Sequence, residues 1–154
     1  MNASDLLTRI RHDMDDVSGY IAETERARRS SDGRSAATLR HLGDYNYTAY
    51  REILDLDGIA PDFEIDPRTV EEFEQILHRY LDTYAPGRED LKKYIVGVSL
   101  YLTFIAKRPL HPPGVPFSDE IRVERKRDSY YCSGKRRFLN DPSSCCRFCV
   151  CRPE

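Results

Sequence analysis

The residues best equipped for chemistry lie together near one end of the chain. All five cysteines, Cys132, Cys145, Cys146, Cys149 and Cys151, fall within the last 23 residues, and the first 131 contain none. Cys146-Arg-Phe-Cys149 is a CxxC pair, and two thiolates at that spacing can chelate one ion at Zn–S distances of about 2.3 Å. Cys132, 14 positions before the pair, supplies a third thiol. A closed tetrahedral site then needs a fourth ligand. The candidates are His111, in a Pro-flanked loop, Cys145, which adjoins Cys146, and Cys151. Neighbouring residues rarely both reach one tetrahedral ion, and Cys151 lies where the chain is expected to fray. The expected set is therefore His111, Cys132, Cys146 and Cys149 around a structural Zn2+, with the sulfurs converging to within about 4 Å.

Other chemistries compete for the same thiols. An iron–sulfur cluster could use four of the five cysteines. A thioredoxin-like dithiol would place its CxxC at the start of a helix after a strand; here it follows Asp141-Pro142. Free thiols in a surface segment are the plainest alternative. Elsewhere the signals are weak. His12, His41 and His78 fall on predicted helices without partner spacing, and the adjacent carboxylates Asp15-Asp16 and Glu71-Glu72 point apart on a helix. The chain has no Gly-rich phosphate loop, no GxSxG and no HExxH. An enzyme is accordingly read as the alternative, acting through the metal or the thiols, and a binding or assembly protein as the preferred class.

The elements that must position these residues are mostly helical. Leu6, Leu7, Ile10, Met14, Val17 and Ile21 recur at three- and four-residue spacing and predict one amphipathic helix from about 4 to 29, capped at Ser4. Ser30-Ser31-Asp32-Gly33 breaks it. A second helix, 35–54, carries Leu39, Leu42, Tyr50, Ile53 and Leu54 on one face, before the interruptions at Gly58 and Pro61. Asp66-Pro67 opens a third helix with an apolar face of Val70, Phe73, Leu77, Tyr80, Leu81 and Tyr84. A fourth runs from Glu89 or Asp90 to about Lys107. Its YIVGVSLYLTFIA segment is apolar nearly all round and predicts the central buried helix. Prolines 109, 112, 113 and 116 forbid regular helix beyond it. Ile121 and Val123, then Tyr130-Tyr131-Cys132, predict a β-hairpin, and Gly134 onward reads as irregular.

Charge divides the chain in the same place. The overall balance is 24 basic against 26 acidic residues, yet residues 1–120 hold 15 Lys and Arg against 22 Asp and Glu, a net of −7. Residues 121–154 hold 9 against 4, a net of +5. Arg122, Arg125, Lys126, Arg127, Lys135, Arg136 and Arg137, interleaved with Tyr130, Tyr131 and Phe138, invite a nucleic-acid hypothesis, against a solvated hairpin tip or an acidic protein partner. With 154 residues, 40% hydrophobic and 32% charged, the chain can bury a core without disulfides, and collagen-like, low-complexity and disulfide-scaffold classes are excluded. The apolar run Tyr94–Ala106 spans only about 20 Å as helix, against a hydrocarbon core of about 30 Å, so no membrane partner is expected. The opening MNASDLLTRIRHDMDD is amphipathic rather than an apolar leader. With clustered thiols, this predicts a cytoplasmic, reducing setting.

Three stretches, YLTFIAKRPLHPPGVPF (101–117), SYYCSGK (129–135) and CRFC (146–149), resemble the archaeal domain of unknown function 2115 family, found mainly in methanogens and without an established activity. The match falls on His111, Pro112, Gly114, Phe117, Tyr131, Cys132, Lys135, Cys146 and Cys149. Upstream helices, including FEQILHRYLDTYAPG, match more loosely. Ser133 stands where the family tends to have Pro, and Cys145 and Cys151 look particular to this chain. The resemblance implies that His111, Cys132, Cys146 and Cys149 act as one set, and implies no function. The expected architecture is mainly α: about four helices over residues 1–108, with a Pro-rich loop, a small β-hairpin and a Cys-rich metal-binding module over 109–154.

Overall fold

The structure is a computed structural model and describes residues 1–29, 34–55, 62–118 and 120–154. The chain is mainly helical, with a small three-stranded sheet near its C-terminal end. The expected breaks at Ser30–Gly33 and at Gly58 and Pro61 lie outside the described residues.

The first expected helix is in fact two, α1 (Ala3–Asp13) and α2 (Ser18–Arg29). The backbone leaves helical geometry at Met14, with φ −101° and ψ 8°. The break lets Met14 and Val17 both bury completely. Met14 lies over Gly97, where even a Cβ atom would meet its sulfur at 2.1 Å. Asp16, at the same break, pairs with Lys93 at 3.0 Å. The cap is Asn2 rather than Ser4: its side-chain oxygen accepts from the Ser4 amide at 2.9 Å and the Ser4 hydroxyl at 2.8 Å.

Helix α3 (Arg34–Asp55) agrees with the expected span, and its buried stripe agrees in part, at Tyr50 and Ile53. Ala49 and Ile53 face the core, with Tyr45 and Tyr50 packed beside them. Leu54 is exposed because it follows the buried Ile53 and is turned about 100° away around the helix, and Leu39, near the start of α3, is exposed as well.

Helix α4 (Pro67–Tyr84) begins as expected, with Asp66 accepting from the Arg68 amide at 3.0 Å. Its core face is Val70, Phe73, Ile76, Leu77 and Leu81. Tyr80 and Tyr84 fall outside that face and pack against each other with tilted rings, centroids 4.6 Å apart.

Helix α5 (Glu89–Leu100) is the central helix, meeting α1, α3 and α4. It continues as a π-helical turn, Tyr101–Ile105, every residue of which is buried. Widening the last turn lets the Ala106 amide reach the Tyr101 carbonyl at 2.8 Å. It also delivers the Tyr101 hydroxyl to Glu52 at 2.9 Å, where Arg108 completes a three-residue polar lock. Lys107 then turns the chain with φ 51°. The Tyr45 hydroxyl holds the Pro109 carbonyl at 2.7 Å, fixing the start of the Pro-rich loop.

The hairpin forms as expected. Strand β1 (Val123–Lys126) pairs antiparallel with β2 (Ser129–Cys132), placing Val123 opposite Cys132 and Arg125 opposite Tyr130. The segment after Gly134 is more regular than its sequence suggests. It forms a one-turn helix α6 (Lys135–Phe138), a 3-10 turn (Cys145–Arg147) and a third strand β3 (Arg152–Pro153), parallel to β2. A second, small hydrophobic cluster of Val123, Cys132 and Cys151 lies against this sheet. Phe148 joins it to the helical core by packing edge-on against Phe73 at 5.4 Å. No helix among the described residues is long and apolar enough to cross a membrane.

Candidate metal centre

Four cysteines reach one region by four different routes. Cys132 ends β2 and is buried. Cys146 lies in the 3-10 turn, and its amide donates to the Ser144 hydroxyl oxygen at 3.1 Å. Cys149 follows that turn, its amide donating to the Cys146 carbonyl at 3.3 Å. Cys151 immediately precedes β3, and pairing of that strand with β2 brings it to the Cys132 side of the sheet. Cys151 is one of the most buried residues of the segment, and not the frayed end that its place in the sequence suggests.

Cys149 is the electrostatic centre of the group. Its sulfur accepts from the Cys151 thiol and from the backbone amides of Cys151 and Leu110, with Lys135 close by. These donors outweigh burial and bring its pKa down to about 6, while Cys151, which gives its proton to that bond, is pushed up. Burial raises Cys146, and raises Cys145 to about 11. Cys132 and Cys149 bear electrostatically on both Cys146 and Cys151, whereas Cys145 packs against the helical core.

His111 takes a different place. Its ring stacks on Phe117 with centroids 4.2 Å apart, and burial alone lowers its pKa. The Pro-rich loop instead touches the thiol group through the Leu110 amide. Of the four expected ligands, Cys132, Cys146 and Cys149 thus share a neighbourhood, and His111 lies against Phe117. Among the described residues, no group of three or more His, Cys, Asp or Glu side chains is arranged so that it could hold a metal ion.

Sequence reasoning placed Lys135 on the basic surface, and the structure corrects this. Lys135 is 8% exposed, and its ammonium donates to the Cys149 carbonyl at 2.6 Å while facing Cys146, Cys149 and Cys151. No carboxylate pairs with it among the described residues. The cause is α6, which turns the chain back after Cys132 and folds the Lys135 stem under the sheet. Its spacing of three residues from Cys132 was the one available hint. The region thus gathers several thiols, with the pKa of Cys149 lowered, and one buried cation beside them.

A family profile described as an uncharacterized protein conserved in archaea, domain of unknown function 2115, matches residues 4–154. The UPF0305 protein of Methanocaldococcus jannaschii is 36% identical over 91 residues, covering 59% of this chain and 55% of that protein. A UPF0305 protein of Methanothermobacter thermautotrophicus is 33% identical over 87 residues, covering 56% and 53%. A third, from Methanopyrus kandleri, is 41% identical over 49 residues, covering 32% and 34%. The matched stretch thus spans about half the length of the first two relatives. No solved structure matches the chain.

Proposed function

The chain belongs to this uncharacterised archaeal family, and from that premise we propose that residues 109–154 form a zinc-stabilised module on a helical body, 1–108, in a cytoplasmic binding or assembly protein. Cys132, Cys146 and Cys149 would hold the ion, with Cys151 rather than His111 as the fourth ligand. The observation that carries this reading is Lys135. A buried ammonium without an anion is costly by several kcal/mol, so a buried lysine facing several thiols implies that the thiols carry negative charge. Four thiolates around one divalent ion leave a charge of −2, and Lys135 reduces it to −1. The ion's part would be structural: it joins the end of β2, the 3-10 turn and the start of β3, three short pieces with little core of their own.

Anaerobically expressed protein should carry one equivalent of zinc by elemental analysis. Its cobalt-substituted form should show the intense thiolate-to-metal absorption of a four-sulfur site, weakened in Cys151→Ser and unchanged in His111→Gln. Metal-free protein with five freely titrating thiols would overturn the proposal. The thiolate at Cys149, hydrogen-bonded by the Cys151 thiol, favours a second reading, a thiol-dependent or redox protein. A visible iron–sulfur spectrum, or rapid selective alkylation of Cys149 in metal-free protein, would decide for that class.

A further inference from the structure

The three-stranded sheet has two unlike faces. Side chains alternate along a strand, so the face bearing Val123, Cys132 and Cys151 is sealed by the small hydrophobic cluster. The opposite face carries Glu124 and Lys126 on β1, Tyr131 on β2 and Arg152 on β3. Tyr131 sits in the middle row, paired with Glu124 on one side and Arg152 on the other. The Lys126 ammonium lies 5.3 Å from the Tyr131 ring centre, and also reaches Glu154 at 3.1 Å and Glu124 at 3.6 Å. Arg136 reaches the same corner, donating to the Glu154 carbonyl oxygen at 3.3 Å.

Charge on this face is in excess. Leaving out Arg125, which alternation puts on the sealed face, the hairpin, Arg136 and β3 hold Arg122, Lys126, Arg127, Arg136 and Arg152 against Glu124, Asp128 and Glu154, a net of +2 in a chain of net −2. Arg127 and Arg152 are exposed and have no carboxylate partner among the described residues. Arg127 forms the hairpin tip with φ 57°, a conformation an arginine adopts only at a cost.

We propose that this open sheet face binds single-stranded nucleic acid, with a base stacking on Tyr131 and phosphates held by Lys126, Arg136 and Arg152. A purely acidic peptide would use the cations and leave the central aromatic idle, whereas a nucleotide strand uses both. Lys126 now occupies the ring face as a cation, and a base takes that place while the ammonium moves to the adjacent phosphate. The acidic body, net −7 over residues 1–120, confines the strand to this face. The proposal deepens the binding-protein reading and rests on it, because Cys132 and Cys151 anchor the strands that carry Tyr131 and Arg152.

The test uses the full chain, its zinc content measured in the same sample, and a fluorescent oligouridylate of about ten nucleotides followed by anisotropy. Binding is expected at about 50 mM salt, falling by about 2 log units per decade of salt for three neutralised phosphates. Tyr131→Ala should weaken binding by roughly fivefold to hundredfold while Tyr131→Phe leaves it intact. Arg152→Glu, at an exposed site that does not threaten folding, should weaken it about tenfold or more and flatten the salt slope. Absence of binding by zinc-loaded protein would overturn the proposal. So would equal competition by polyglutamate, which would indicate an acidic protein partner, or equal competition by duplex DNA. Binding by zinc-free protein with the same variant pattern would uphold the surface and overturn the zinc reading instead.

Discussion

Lys135→Met removes the buried ammonium, keeps an apolar stem of similar length, and makes the sign of the stability change depend on the charge of the thiols. Two favourable interactions are lost. The bond to the Cys149 carbonyl, at 2.6 Å, is a charged hydrogen bond of about 1.5–3 kcal/mol. Attraction to a neighbouring unit negative charge at about 5 Å contributes roughly 3 kcal/mol at an effective dielectric of about 20. One cost is relieved, the desolvation of an ion that is 8% exposed, on the order of several kcal/mol. With metal-bound thiolates, the losses win and the variant should be less stable by about 2–4 kcal/mol. With neutral thiols the attraction is absent, the remaining terms nearly cancel, and the variant should match or exceed the parent. Urea unfolding of parent and variant, zinc-loaded at pH 7 and metal-free at pH 5, reads both cases. The lower pH favours the thiol form of the cysteines. By linkage, the roughly 3 kcal/mol difference should appear as about a hundredfold weaker zinc affinity. Equal effects in the two states would show that Lys135 does not balance a thiolate charge, and the argument for the metal would fall with it.

Three further outcomes follow from the packing. Gly97→Ala should destabilise the fold by about 1–3 kcal/mol in thermal unfolding despite alanine's better helix propensity, because its Cβ would meet the Met14 sulfur at 2.1 Å. Adding Met14→Ala should cost less than the sum of the two single changes. His111, held neutral by burial with its pKa lowered from 6.5, binds fewer protons folded than unfolded. Its stabilisation is full above pH 6.5 and is lost as pH falls through the folded pKa, so a His111→Phe variant should show a shallower loss of stability on acidification below pH 6.5. Asp66→Ala, which frees the Arg68 amide at the start of α4, should cost about 1 kcal/mol by urea unfolding, and Asp66→Asn much less.

Local chemistry was enough to place most of the elements. Asp66-Pro67 predicts the start of α4 because an acceptor side chain and a fixed φ are strictly local requirements. The apolar run through Ile105 predicts a buried helix for a similar reason, since no face of it can be left to water. The cysteine spacing singled out Cys132, Cys146 and Cys149, and the alternation of Val123 with polar neighbours foretold the hairpin. What the sequence could not express were decisions taken between distant residues. The helix expected over 4–29 breaks at Met14 because α5 comes close enough at Gly97 to take that side chain. Leu54 looks like a core residue until the packing of α3 selects the stripe through Ala49 and Ile53. Cys151 and Lys135 read as a frayed end and a surface charge, and β3 and α6 turn both inward. His111 stacks on Phe117 across the Pro-rich loop, a contact between residues six apart that no motif announced, while the neighbouring Leu110 amide meets the thiols. Residue type and short spacing determine which groups are available for chemistry; strand pairing and close helix approach act over separations that no short motif records, and they decide which of those groups meet.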